Sequence, residues 1–168
     1  PTTVAAALFL DGSISVSSQE LLRPQRWLEG FHTASPLIRK DTVTIRFLGD
    51  VMMHGKQIEN AHRGGSGYDF SSYFKLLKDR LSEADLTVAN MEFALGGEPY
   101  SGYPAFSAPD GIASYAAECG IDIFLAANNH IYDKGKSGAE RTLEIYRELH
   151  ESHGIMFAGL ASDQTEEE

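Results

Sequence analysis

The first quarter of the chain shows no sustained spacing of apolar residues, and a regular alternation of elements begins only near Thr42. Residues 1–41 contain scattered Gly and Pro breakers, which predicts an irregular N-terminal extension. From residue 42 onward, short β-branched apolar runs alternate with stretches whose apolar residues recur every three to four positions. Such alternation is typical of βα units on a largely parallel sheet. The sequence therefore predicts an α/β domain over residues 42–168.

Four apolar runs of strand length punctuate this domain, and helical patterns lie between them. The predicted strands cover residues 43–48, 86–89, 122–126 and 155–158. The predicted helices cover residues 69–81, beginning at an Asp cap, 109–120, and 137–154, beginning at a Ser-Gly-Ala-Glu capping box. Each of the first three strands runs directly into polar residues, which directs attention to the strand ends.

The charge balance limits the classes of partner that the chain can bind. The sequence holds 14 Lys and Arg against 24 Asp and Glu, a formal net charge of -10. No basic stripe is available to neutralise a phosphate backbone, so nucleic-acid binding is not expected. The same acidity should repel an anionic polymer unless bound cations or a local basic patch offset it.

The single cysteine is predicted to be buried, and the hydropathy profile shows no membrane-spanning run. Cys119 lies in an apolar helical pattern and is predicted to be part of the core. No apolar run approaches the roughly 20 residues that a membrane-spanning helix needs. We therefore expect no transmembrane segment in this chain.

The strand ends supply the candidate chemistry. Asp50 follows the first strand, Glu92 follows the second, and Asn129 with His130 follows the third. Because the carboxyl ends of parallel strands meet at one edge of a sheet, these side chains are expected to converge. Two carboxylates, an amide oxygen and an imidazole suit Mn²⁺, Fe²⁺, Zn²⁺ or Mg²⁺. Two such ions could activate a water for ester hydrolysis.

Each of these residues also has an ordinary structural interpretation. Asp50 after a glycine suits a turn, Glu92 suits a solvated loop, and Asn129 in an Asn-Asn pair suits a left-handed turn. His54 is a further candidate ligand, although a lone loop histidine is commonly just exposed. Asp133 could accept the ring N–H of the histidine three residues before it, or serve only as a turn residue.

The residue strings at the three strand ends resemble those of the CapA family of bacterial capsule and poly-γ-glutamate synthesis proteins. These strings are Gly-Asp-Val-Met-Met at 49–53, Ala-Asn-Met-Glu at 89–92, and Ala-Ala-Asn-Asn-His at 126–130, followed by Asp133 and Gly135. The resemblance extends from Thr42 to about Ala161. It implies a calcineurin-like metallophosphatase-type sandwich (αββα), with only the N-terminal half of that domain in this chain.

The resemblance also implies roles for individual residues. In calcineurin-like phosphoesterases an Asp, a second acidic residue and an Asn bind metal, and the His after that Asn stabilises the transition state. By motif, Asp50, Glu92 and Asn129 would bind one or two divalent ions. His130, assisted by Asp133, would act on the reaction.

Two departures from the phosphoesterase pattern put a complete metal site in doubt. A His is expected two residues after the first Asp, and Met52, a poor ligand for these cations, stands there. His54 is the nearest substitute. The later motifs that supply further His and acidic ligands do not occur in this chain, so we expect it to bind metal weakly by itself.

The function implied by the resemblance is capsule or poly-γ-glutamate synthesis or export, through a metal-dependent hydrolase-like domain. One alternative is a phosphomonoesterase or phosphodiesterase acting on a small or lipid-linked phosphate. Another is a non-catalytic scaffold that binds polymer or other capsule-synthesis proteins at the membrane. The family implies an extracytoplasmic or membrane-associated location. An incompletely covered sheet face would favour self-association or pairing with the second half of the domain.

Overall fold

The computed structural model describes residues 42–65 and 67–161, so the predicted extension over residues 1–41 lies outside the described part of the chain. The strands of the described part are β1 Ile45–Val51, β2 Leu86–Met91, β3 Ile123–Leu125 and β4 Met156–Ala158. Its helices are α1 Gly55–Ala61, α2 Lys78–Ser82, α3 Gly111–Glu118 and α4 Gly135–His153. Helices α1 and α2 both lie between β1 and β2, and one helix lies in each later crossover.

The four described strands form a single sheet in the order β1-β2-β3-β4, and every neighbouring pair is parallel. Each crossover therefore leads to the adjacent strand, and all carboxyl ends meet at one edge. This mixed α/β fold confirms the predicted fold class and agrees with part of a metallophosphatase-like domain.

Two aspartates set the strand register at the opposite, amino edge of the sheet. The Thr44 N–H donates to Asp85 Oδ2 at 2.9 Å just before β2, and the Thr87 N–H donates to Asp122 Oδ2 at 2.7 Å just before β3. Burial raises the pKa of the Asp122 carboxyl, and the hydrogen bond from Thr87 opposes this. Backbone groups at the strand starts are thus satisfied by side chains of the next strand.

The two faces of the sheet differ in how well they are covered. On one face the Tyr146 ring of α4 packs between Phe124 and Phe157, with ring centroids 5.4 and 5.7 Å apart. On the other face Phe47 and Leu125 remain 53% and 37% exposed. An incompletely covered face was expected from the sequence, whereas the self-association inferred from it stays a prediction.

One extra residue in β1 changes which face its last residues occupy. Phe47 is paired with Val88, but the next pair along the strands is Asp50 with Asn90, three residues further in β1 and two in β2. A regular strand would place Gly49 opposite Asn90 and turn Asp50 to the other face. The bulge therefore brings the Asp50 side chain to the face that carries Asn90.

The helices depart from the sequence prediction in two places. The predicted helix over residues 69–81 is wrong in its first half: Asp69 Oδ1 accepts the Ser71 N–H at 2.9 Å, turns follow, and only α2 is helical. The predicted start at Ser137 is also wrong, because the Gly138 N–H already donates to the Lys134 carbonyl and Lys134 caps α4. The predicted end of α4 is confirmed, since Gly154 takes a left-handed φ of 73°.

Polar side chains of α4 fasten the segment that follows β2. The Leu95 N–H donates to the buried Thr142 hydroxyl at 2.9 Å. The Arg141 guanidinium binds both oxygens of Asp110 at 2.7 Å, and it also donates to the Leu95 carbonyl at 2.5 Å. Because this segment leaves the strand end that carries Glu92, α4 helps to fix the position of that carboxylate.

The core lies between the covered face of the sheet and the helices, and Cys119 is buried in it as predicted. Tyr146 is the largest fully buried side chain of the described residues. Its hydroxyl has no hydrogen-bond partner there, and burial raises its pKa. Among the described helices, none is long and apolar enough to cross a membrane.

Tyr146→Phe should raise the free energy of unfolding, because it removes a buried hydroxyl that has lost its water without gaining a partner. We expect a gain of about 1 kcal/mol, the lower end of the cost of an unsatisfied buried group. Urea denaturation followed by circular dichroism measures it. Tyr115→Phe is the matched control: its hydroxyl donates to the Ser71 carbonyl at 2.9 Å, so the same change there should not stabilise the protein. Equal effects at the two positions would contradict this account.

Candidate metal centre at the carboxyl edge of the sheet

Three of the predicted site residues meet where β1, β2 and β3 end. Asp50 is the second-last residue of β1, Glu92 directly follows β2, and His130 lies in the turns between β3 and α4. Glu92 is held in register by its backbone N–H, which donates to the Val51 carbonyl at 3.0 Å. The His130 Nε2 lies 3.8 Å from Glu92 Oε1. The ends of β1, β2 and β3 thus bring these three side chains to one edge, whereas the ligand and catalytic roles expected of them stay predictions.

An asparagine that the sequence analysis gave no role joins the two carboxylates. The Asn90 Nδ2 donates to Asp50 Oδ1 at 2.8 Å and to Glu92 Oε2 at 3.1 Å. A single amide group thus contacts both acids. Asn90 is part of the family-like sequence string at 89–92, but its contact with Asp50 depends on the bulge in β1. The alternation of apolar and polar residues along a strand does not predict such a bulge.

The electrostatics of the pair are those of two acids forced together. Burial raises the pKa of Glu92 above its ordinary value, and the hydrogen bond and charge of Asp50 raise it further, while His130 opposes them. The Glu92 side chain is only 15% exposed, so solvent screens this repulsion incompletely. A cation placed here would relieve both effects.

Asp133 holds the His130 ring, the first of the two alternatives that the sequence left open for Asp133. The ring Nδ1 lies 2.7 Å from Asp133 Oδ2, and the same oxygen accepts the Phe106 N–H at 2.6 Å. Its ring also packs edge-on against the buried Phe106 ring, with centroids 4.6 Å apart. With Nδ1 engaged by Asp133, Nε2 is the nitrogen that faces Glu92.

Asn128, just after β3, joins this hydrogen-bond network, whereas Asn129 is the predicted metal ligand. Asn128 Nδ2 donates to Asn90 Oδ1 at 3.2 Å and to the Met91 carbonyl at 3.1 Å. Asn129 is exposed on the adjoining turn. Its role as a metal ligand stays a prediction.

His54 and Met52 occupy different surroundings from the acids. The exposed His54 ring packs against Phe106 with centroids 5.1 Å apart, and its backbone begins α1. Its role as a substitute ligand also stays a prediction. Met52 stands where the phosphoesterase pattern has a histidine, and it packs against the hydrophobic core.

The loop after β2 closes over the start of α1 and so borders the site. A Cβ atom at Gly102 would lie 2.3 Å from the Gly55 backbone nitrogen, so only glycine permits this approach. Tyr103 beside it is 77% exposed, whereas Phe106 is fully buried. The loop therefore packs on the edge of the sheet through Phe106 and leaves the Tyr103 side chain exposed to solvent.

The donor set fits the anionic part of a divalent metal site, because two adjacent carboxylates and an imidazole are available at one edge. Within residues 42–65 and 67–161, however, no three His, Cys, Asp or Glu side chains are grouped closely enough to hold an ion.

Asp50→Asn should lower the pKa of Glu92, because it removes the neighbouring carboxylate whose hydrogen bond and charge raise that pKa. Carbon-13 NMR titration of the Glu92 side chain, with a chelator present to exclude metal, measures the change. Asp69→Asn serves as the control, since the Asp69 carboxylate pairs with Arg63 and Ser71 outside this network. A Glu92 pKa that is unchanged in Asp50→Asn would show that the two acids do not interact.

Comparison with known proteins places the chain in a family. The family described as "Bacterial capsule synthesis protein PGA_cap" matches residues 44–168. The chain is also similar to "Capsule biosynthesis protein CapA" of Bacillus anthracis, with 26% identity over 132 residues that cover 73% of this chain and 31% of that protein. It therefore spans less than a third of the length of that relative. The matched family region contains every residue of the candidate metal centre, and the chain belongs to the bacterial capsule synthesis protein family PGA_cap.

Proposed function

We propose that this chain contributes the acidic, histidine-containing part of a divalent-metal centre that hydrolyses an ester, a phosphate ester above all, during capsule synthesis. Family membership supports the pathway. The observation that carries the chemistry is the convergence of Asp50, Glu92 and His130 at the carboxyl edge of the sheet. The name of the Bacillus anthracis relative refers only to capsule biosynthesis, so the reaction itself is our inference.

The two carboxylates are the proposed anionic ligands. A divalent cation such as Mn²⁺, Fe²⁺, Zn²⁺ or Mg²⁺, bound there alone or as one of two, supplies a Lewis acid that polarises the ester and activates a water. Burial, and after it the hydrogen bond and charge of Asp50, raise the pKa of Glu92, and a cation bound to both carboxylates would favour their charged forms. Asn129 is the proposed amide ligand, and His54 a proposed further one.

His130 is the proposed catalytic residue at the substrate side of the carboxylates. Its Nε2 faces the same space as Glu92 Oε1, so a protonated Nε2 would donate to an oxygen on which negative charge develops. Asp133 holds the opposite ring nitrogen, and its carboxylate is itself fixed by the Phe106 N–H. The imidazole is thus oriented before substrate arrives, which lowers the entropy cost of reaching the transition state.

The proposed substrate is an anionic polymer or a phosphate-containing precursor. The chain carries a formal net charge of -10, so an anionic substrate would need bound cations to approach its acidic edge. A metal centre at that edge would meet this requirement. We place the activity at the cell envelope, next to other capsule-synthesis proteins, because capsule polymer is assembled there.

A second candidate function is a non-catalytic scaffold that keeps the fold and binds polymer or partner proteins. It is favoured by Met52, which packs against the core where the phosphoesterase pattern has a ligand. It is also favoured because, among the described residues, no three His, Cys, Asp or Glu side chains are grouped closely enough to hold an ion. Hydrolysis of a small or lipid-linked phosphate is a narrower form of the leading proposal and uses the same residues.

His130→Ala in the intact protein should lower turnover of a phosphate ester by roughly 10²-fold or more, the usual loss when one transition-state stabiliser is removed. Its metal content should stay near wild type, because His130 is assigned to the substrate. Asn129→Ala should instead lower metal occupancy. Activity assays and elemental analysis of the two purified variants make the measurement.

His153→Ala is the matched control, since this histidine lies exposed at the end of α4, where the chain enters the amino end of β4 and not the carboxyl edge of the sheet. It should change neither turnover nor metal content. If His130→Ala loses its metal while Asn129→Ala keeps it, the two roles are reversed. If no variant alters any activity of the intact protein, the scaffold function is the better account.

A further inference from the structure

The orientation of the Asn128 amide is dictated by two backbone groups that cannot exchange roles. The His130 N–H can only donate, and it lies 3.0 Å from the Asn128 oxygen. The Met91 carbonyl can only accept, and it lies 3.1 Å from Asn128 Nδ2. Rotating the amide by half a turn would oppose donor to donor and acceptor to acceptor. Asn128 therefore has one stable orientation.

That orientation determines the next amide in the network. The second hydrogen of Asn128 Nδ2 points to Asn90 Oδ1, so Asn90 must turn its oxygen toward Asn128 and its Nδ2 toward the acids. Both hydrogens of Asn90 Nδ2 are then used, one by Asp50 Oδ1 and one by Glu92 Oε2. Every hydrogen on the two Nδ2 atoms has an acceptor. The donor-to-acceptor direction is therefore the same along the whole series of bonds, from the His130 N–H through Asn128 and Asn90 to the two acids.

We propose that Asn128 and Asn90 form a one-directional amide relay that positions the two carboxylates for a divalent cation. This inference rests on the proposed metal centre. Asn90 takes one oxygen from each acid and leaves Asp50 Oδ2 and Glu92 Oε1 outside the relay as a spaced pair of ligands. Both Asn90 and Asn128 are positioning residues, since neither needs to touch the ion.

The relay explains how two repelling acids keep their spacing before an ion arrives. Each acid accepts a hydrogen bond from the same Nδ2 atom, so their separation is fixed by the geometry of one amide group. Without Asn128, the Asn90 oxygen loses its donor, and the Asn90 amide is then held by the two acids alone, so its position is less firmly fixed. Asn128 should therefore act on the cation only through Asn90.

A double-mutant cycle of Mn²⁺ affinity in the intact protein tests this dependence. Asn128→Leu and Asn90→Leu keep the side-chain size and remove the amide, and each should weaken Mn²⁺ binding by about 10- to 100-fold, as loss of a residue that orients a metal ligand commonly does. In the Asn90→Leu background, Asn128→Leu should weaken binding by no more than about 3-fold, because the relay is already broken. Asn60→Leu, on the exposed surface of α1, is the control and should bind as wild type does.

Full additivity of the two substitutions, or wild-type affinity in Asn128→Leu, would overturn the relay. Asn128→Gln retains an amide and provides a milder variant if a leucine variant does not fold. The decisive comparison for a folded pair is therefore Asn128→Gln against Asn128→Ser, of which the first should bind more tightly.

A second measurement needs no metal and so separates the relay from the proposed function. In protein labelled with nitrogen-15 at asparagine and kept in chelator, the two Nδ2 protons of Asn90 should exchange slowly with solvent, and Asn128→Leu should speed that exchange by at least about 10-fold. Unchanged exchange overturns the relay. Slow exchange in a wild-type protein that does not bind Mn²⁺ would retain the relay and reject the metal centre.

Discussion

Two carboxylates of like charge stand side by side at one edge of a sheet, and the neighbouring polar groups are arranged around that constraint. Like charges held close together near a protein surface repel each other, and this repulsion opposes folding. Asn90 donates to both acids, and His130 lies against Glu92. Burial, and after it the hydrogen bond and charge of Asp50, raise the pKa of Glu92, whereas the charge of His130 lowers it. Because both carboxylates would attract a positive ion, this edge of the sheet is suited to a cation.

The rest of the fold fixes the chain segments on either side of the two acids. At the amino edge, Asp85 and Asp122 bind the backbone of the preceding strand and hold the register of the sheet. Beyond β2, the pairing of Arg141 with Asp110 and the Thr142 hydroxyl fasten the exit of the chain to α4. The acids therefore sit between two anchored segments, and their spacing follows from the fold.

The parallel sheet and the meeting of three strand ends were predictable, because apolar runs and the residues that follow them are local properties of the sequence. The helix starts were less so: Asp69 caps a series of turns, and Lys134 begins α4 although Ser137 heads a better capping pattern. Those outcomes depend on tertiary packing. The roles of Asn90 and Asn128 were missed for a similar reason, since a hydrogen bond between residues 38 positions apart leaves no trace in either neighbourhood.

The bulge in β1 has a consequence for how this site can be compared or transplanted. Between the pair Phe47–Val88 and the pair Asp50–Asn90, β1 uses one residue more than β2. An alignment that places no gap at this extra residue would assign Gly49 to the position of the acid. It would also assign every later residue of β1 to the wrong face of the sheet. Grafting the two acids onto another parallel sheet would likewise require the supernumerary residue to be copied with them. The smallest unit that can be transferred is therefore the pair of acids together with the bulge, in which β1 has one residue more than β2.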